Sequence, residues 1–133
     1  MISRRLCLLT LTPLAAPAQA PQTPALALAM QRARLMREQA LASGDQAFGA
    51  VVLCGERIVG EAPSRVVTAG DPTAHAEMEA IRDAARRLRS RDLSGCVLVS
   101  TSRPCRMCEA AASWARIARM VHGDGLVDAG APP

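Results

Sequence analysis

The sequence predicts an α/β chain folded as one three-layer α/β/α domain around a mixed sheet. Three observations carry that prediction. The hydrophobic pattern switches between helical and extended periods in the order helix, strand, strand, helix, strand, helix, strand, and the alternation in the second half implies βαβ units with parallel members. The run Cys96–Thr101 is apolar throughout until Ser100, as a strand covered on both faces would be. Half of the 133 residues are apolar against 21% charged, enough for a buried core, and no repeat or linker divides them.

The elements follow in order. Thr23 to Gly44 reads as the first helix, with Met30, Ala33, Met36, Ala40 and Leu41 at helical spacing and Gly44 as its stop. Ala47–Cys54 is a short apolar run and Arg57–Ala62 a second extended segment; only Gly55 and Glu56 separate them, a hairpin spacing. Pro63–Gly70 is a loop. Asp71 and Pro72 then predict a helix start, the aspartate as N-cap and the proline preset at the first helical position. That helix places Met78, Ile81, Ala85 and Leu88 on one stripe, with Glu79, Arg82, Asp83, Arg86 and Arg87 around it. After the covered strand, Pro104 opens a helix that runs to Ile117, and Arg119–Gly123 reads as the last strand. The tail 124–133, rich in Gly and Pro, is expected to be irregular, which leaves a core of 24–123 within a domain of 21–133.

Residues 1–20 form a separate unit. Ser3-Arg4-Arg5, the apolar stretch Leu6–Ala16 and Ala18-Gln19-Ala20 have the charged, apolar and small-x-small parts of an export leader, and the paired arginines fit the twin-arginine type. The stretch is too short for a stable membrane span. The expected location is therefore periplasmic; a true start at Met30 would make it cytoplasmic. Removing Arg4 and Arg5 with the leader lowers the formal charge from +4 to +2, so the mature chain has no strongly basic footprint.

Composition excludes several chemistries. All sixteen cations are Arg, so a Schiff-base lysine and a phosphate-loop lysine are both ruled out. Phe48 and Trp114 are the two aromatic residues, too few for a base-stacking platform. Four cysteines in an exported chain suggest two disulfides. The spacing of Cys105 and Cys108 assigns that pair elsewhere, however, and Cys54 and Cys96 read as small core residues in apolar runs. No obligatory disulfide is expected.

The chemistry concentrates in His75-Ala76-Glu77, Pro104-Cys105 and Cys108. A spacing of three puts both sulfurs on one face of a helix's first turn, where free N–H groups and the helix dipole favour thiolates. His75 sits in the first turn of the other helix, and two helix starts that follow neighbouring strands face the same edge of a sheet. A His/Cys/Cys set holds a tetrahedral Zn2+ with one position open, the arrangement of a catalytic zinc. Glu77, two residues beyond His75, stands beside the metal rather than on it and can move a proton from water to a leaving amine. A lone Cys-x-x-Cys would fit a redox pair or half of a structural zinc site equally well; Cys54, Cys96 and His122 are the spare ligands such a site would need, and His122 reads as an edge residue.

His-x-Glu with Pro-Cys-x-x-Cys is the signature of zinc deaminases. On Phe48-Gly49-Ala50-Val51, Ile58-Val59-Gly60, Asp71-Pro72-Thr73-Ala74-His75-Ala76-Glu77, Ala80-Ile81-Arg82, Pro104-Cys105, Met107-Cys108 and Trp114-Ala115-Arg116-Ile117, the chain resembles the cytidine deaminase-like superfamily. The likeness is to the branch holding guanine deaminases and tRNA adenosine deaminases, and it covers Phe48 to Gly123. The resemblance implies zinc on His75, Cys105 and Cys108 and proton transfer by Glu77. It also implies a substrate carbonyl on the Ala76 N–H, a base packed on Phe48, and Trp114 on the guanine-deaminase side of the branch. Where the family reads the base edge with Asn, this chain has Ser64, whose shorter hydroxyl cannot make the amide's paired pattern. Arg103 replaces the usual Glu before Pro-Cys, Arg106 follows Cys105, and no counterpart of the exchanged C-terminal segment of guanine deaminases precedes Pro133.

The leading expectation is a zinc-dependent hydrolytic deaminase of a nucleobase or nucleoside, guanine first. In it a zinc-bound hydroxide attacks the amino-bearing ring carbon, Glu77 shuttles protons and ammonia leaves. A homodimer is implied by the resemblance. The alternatives are a tRNA adenosine deaminase, for which Arg86–Arg91 would contact phosphates, and a catalytically silent descendant that binds a metal or ligand.

Overall fold

The computed structural model describes residues 14–16, 18–20 and 23–133; the paired arginines and most of the expected leader lie outside them. Its elements are α1 (Pro24–Ala42), β1 (Gly49–Cys54), β2 (Arg57–Pro63), α2 (Ala76–Leu88), β3 (Cys96–Ser100), α3 (Arg106–Trp114), β4 (Arg119–His122) and β5 (Val127–Gly130). The five strands lie in the order β2-β1-β3-β4-β5. β1 is antiparallel to both β2 and β3, β3 and β4 are parallel, and β5 returns antiparallel to β4. The parallel pair is the βαβ unit whose crossover is α3.

Alternation along β1 builds the two cores. Val51 and Leu53 join Leu26, Ala29, Met30 and Ala33 of α1 on one face, while Ala50 and Val52 join Ala76, Ala80 and Ala84 of α2 and Ala112 of α3 on the other. The result is three layers, α1 against the sheet against α2 and α3, as the sequence predicts.

Several elements depart from expectation. Asp71 does not cap α2; its carboxylate accepts from the Thr73 N–H and hydroxyl, both at 2.8 Å, and His75 stands at the N-cap with φ −60° and ψ 150°. The stripe of α2 that meets the sheet is Ala76, Ala80 and Ala84, whereas Leu88 is exposed. Close approach selects the small residues: a Cβ on Gly60 would lie 2.5 Å from the Ala80 carbonyl oxygen. Leu41 of α1 is also exposed. α3 ends at Trp114, before the expected Ile117, and Arg116 takes a positive φ of 62°.

The tail is not irregular throughout, since β5 pairs with β4; His122 therefore lies on an inner strand and not at the sheet's edge. Ala18–Ala20 lie alongside β5: the Ala20 N–H donates to the Leu126 carbonyl at 2.8 Å and the Asp128 N–H to the Ala18 carbonyl at 2.9 Å. Cys54 and Cys96 are a disulfide, not two free core thiols. They are direct partners in the β1–β3 register with Cα atoms 4.2 Å apart, a consequence of strand pairing that composition does not reveal.

Candidate active site

Two helix N-termini make the site. His75 caps α2 and Cys105 caps α3, and neither side chain bonds to its own helix, so both are free to point into the space between. The His75 Nδ1 lies 3.7 Å from the Cys105 Sγ and 3.8 Å from the Cys108 Sγ. Donors at roughly 2.0–2.3 Å from a shared tetrahedral ion stand about 3.5–3.8 Å from one another, so the three fit a zinc ion through Nδ1 and two sulfurs. Among the described residues this is the one such cluster, its ligand atoms all within 4.8 Å of each other. Cys54 and Cys96 are committed to each other and His122 is not part of it, which removes the spare ligands of a structural site.

Burial acts against the helix dipole at one ligand. Cys108 is fully buried, and that burial, with the charges of Glu77 and Cys105, pushes its thiol well above the usual range. The Met78 N–H in the first turn of α2 opposes this as a hydrogen-bond donor but does not win. A zinc ion bound at the three donors would work against that push, since a coordinating thiol gives up its proton.

Glu77 is 4% exposed and accepts a hydrogen bond of 3.0 Å from the Ser100 hydroxyl, itself fully buried. Ser100 escapes sequence reading; its signal was a polar residue closing an otherwise apolar strand. Phe48, His75, Glu77, Ser102, Arg103 and Cys105 line one hollow of about 130 Å³. Ala76 is the first residue of α2, where an N–H has no acceptor within the helix. The structure therefore brings Phe48, His75, Ala76, Glu77, Cys105 and Cys108 together.

Two expected site residues go elsewhere in the single chain. Ser64 is buried and donates to the Asp45 Oδ1 at 2.9 Å, facing a different hollow shared with Gln39, Ser43 and Thr68. Asp45 also accepts from the backbone N–H groups of Gln46, Val67 and Thr68 at 2.7–3.1 Å. Burial raises the Asp45 carboxyl, but the donors of Thr68, Gln46 and Ser64 outweigh it and hold it well below the usual carboxylate range. Trp114 is 87% exposed at the far end of α3 from the cysteines, beside Arg91, Asp92 and Arg116.

A family model of the cytidine and deoxycytidylate deaminase zinc-binding region matches residues 25–124. The chain belongs to this deaminase family. Among its relatives, the guanine deaminase of Bacillus subtilis (strain 168) is 45% identical over 69 residues, 52% of this chain and 44% of that protein. The tRNA-specific adenosine deaminase of Aquifex aeolicus (strain VF5) is 39% identical over 84 residues, 63% of this chain and 56% of that protein. A solved structure from studies of A-to-I editing by tRNA:A34 deaminases superposes with a TM-score of 0.70 at 35% identity, covering 73% of this chain and 70% of that one. The chain spans about half the length of the curated relatives it matches. The mixed sheet with its three helices is thus the cytidine deaminase-like fold, and His75, Cys105 and Cys108 are the cluster that could hold the zinc named in the family's description.

Proposed function

We propose that this deaminase removes the amino group of a nucleobase or nucleoside by hydrolysis, with zinc on His75, Cys105 and Cys108. One observation carries the reading: the buried Glu77 carboxylate, fixed by Ser100, shares a hollow with two of the three ligands. Bound there, zinc supplies the Lewis acidity that lets water attack a ring carbon at neutral pH. Glu77 takes one proton from the attacking water and gives it to the ring nitrogen, then takes the second from the newly formed hydroxyl and gives it to the amine, so that the carbonyl forms as the C–N bond breaks and ammonia leaves. Phe48 packs against the ring, and the Ala76 N–H donates to a ring carbonyl oxygen where the base has one.

Guanine is the first substrate to test, supported by the Bacillus subtilis relative rather than by Trp114, which lies away from the hollow in one copy of the chain. A tRNA adenosine is the second, supported by the Aquifex aeolicus relative. Among the described residues no helix is long and apolar enough to cross a membrane. The Cys54–Cys96 disulfide joins the paired arginines in supporting an exported protein, because reducing compartments keep such thiols open.

The test is ammonia release by zinc-loaded protein from guanine, cytosine, adenine, their nucleosides and a tRNA anticodon stem-loop, with Glu77→Ala in parallel. Release that falls at least about 100-fold in the variant, the usual scale for a lost general acid–base group, supports the reading and names the substrate. A silent, folded, zinc-replete protein refutes these substrates and moves the reading to an unlisted substrate or to a metal- or ligand-binding descendant.

A further inference from the structure

The hollow is small. At about 130 Å³ it falls below the roughly 300–1,000 Å³ of pockets that enclose whole drug-sized ligands, so it takes one heterocyclic ring and leaves any substituent outside. Arg103 stands at its mouth, lining the hollow while remaining exposed. The arginines of α1 and α2 behave differently: Arg32 pairs with Glu61, Arg82 with Glu79 and Arg87 with Asp83. Arg103 forms no ion pair among the described residues. Its charge is nevertheless felt locally: burial and then the Arg103 cation lower the pKa of His122 on β4. A free guanidinium presents a planar fork of donors that suits a phosphate.

We propose that Arg103 selects substrates whose aminated base carries a phosphate, the ring entering the hollow and the phosphate meeting the guanidinium at its rim. The proposal rests on the deaminase reading above. It places the deaminase after a reaction that delivers a phosphorylated nucleoside, or on a phosphate within an RNA chain; the contact is the same in both.

The experiment compares kcat/KM of zinc-loaded protein for matched nucleosides, nucleoside 5′-monophosphates and an RNA stem-loop, in wild type and Arg103→Gln. A charge-assisted hydrogen bond predicts a monophosphate-to-nucleoside preference of about 10- to 100-fold that collapses towards one in the variant. Greater activity on the stem-loop than on the monophosphates, lost in the same variant, assigns the phosphate to RNA and also supports the contact. Equal use of nucleoside and monophosphate, or a preference that survives Arg103→Gln, overturns it. A parallel drop for every substrate also overturns it, because that is the mark of a cation that merely balances the thiolates. If no substrate turns over, the deaminase reading fails separately. Equilibrium dialysis of the same nucleoside and monophosphate pairs against zinc-loaded protein then decides Arg103 by the ratio of the two dissociation constants.

Discussion

Glu77 and Ser100 are both removed from solvent, so the hydrogen bond between them fixes a carboxylate that water cannot reorient. Ser100 is not among the ligands of the metal cluster and acts through Glu77; it is a positioning residue. Ser100→Ala is expected to lower kcat by about 10-fold or more, the scale of one hydrogen bond to a charged group, while KM and the zinc content change little. Steady-state kinetics with metal analysis separates this from a loss of folding, which would remove zinc as well. His75, Glu77, Cys105 and Cys108 were legible in the sequence because each sits within three residues of a partner and the chemistry dictates the type. Ser100 was not, since it meets Glu77 across 23 positions. Ser64 shows the reverse case: position marks it as a base reader, and Asp45 draws its hydroxyl away.

At the scale of elements, the capping rule chose the wrong end of a true turn. Asp71 and Pro72 satisfy every local preference for a helix start, yet Thr73 consumes the carboxylate and the Arg65 N–H holds the Ala74 carbonyl at 3.0 Å. The helix begins four residues later, which puts His75 at its tip, facing Cys105. The loop leading there hangs on Asp45, whose carboxylate gathers the N–H groups of Val67 and Thr68. A carboxyl held below its unfolded value near 3.9 stabilises the fold above that pH and loses the contribution as pH falls towards the folded value. Asp45→Asn is therefore expected to lower the urea midpoint at pH 7, with the gap to wild type narrowing below about pH 4. A constant gap across that range would contradict the assignment.

For the whole molecule, hydrophobic period predicted three layers and a parallel pair, because both follow from which faces must be buried. Strand register does not follow from period, and the disulfide depends on register. Closing 42 residues between Cys54 and Cys96 is worth about 2–4 kcal/mol, so Cys54→Ser with Cys96→Ser should lower the unfolding free energy by that amount. Equilibrium denaturation checks this, and unchanged zinc content would show that the two sulfur pairs serve separate ends. The start of α1 bears on the whole chain too: a protein that began at Met30 would lack Leu26 and Ala29, both buried against the sheet.

If Ala18–Ala20 is also the cleavage triplet of the proposed export leader, its lateral pairing with β5 sets two uses of that short segment against each other. A processing enzyme needs the small-x-small triplet as a free extended strand, and here the triplet's backbone is already engaged, with the Ala20 methyl under cover. On the proposed export reading, a route that carries folded cargo would deliver the domain to the peptidase in this closed form. Cutting would then wait on the segment peeling from the sheet, an opening far smaller than unfolding. Its completion would bare the outer side of β5, a fresh row of backbone donors and acceptors.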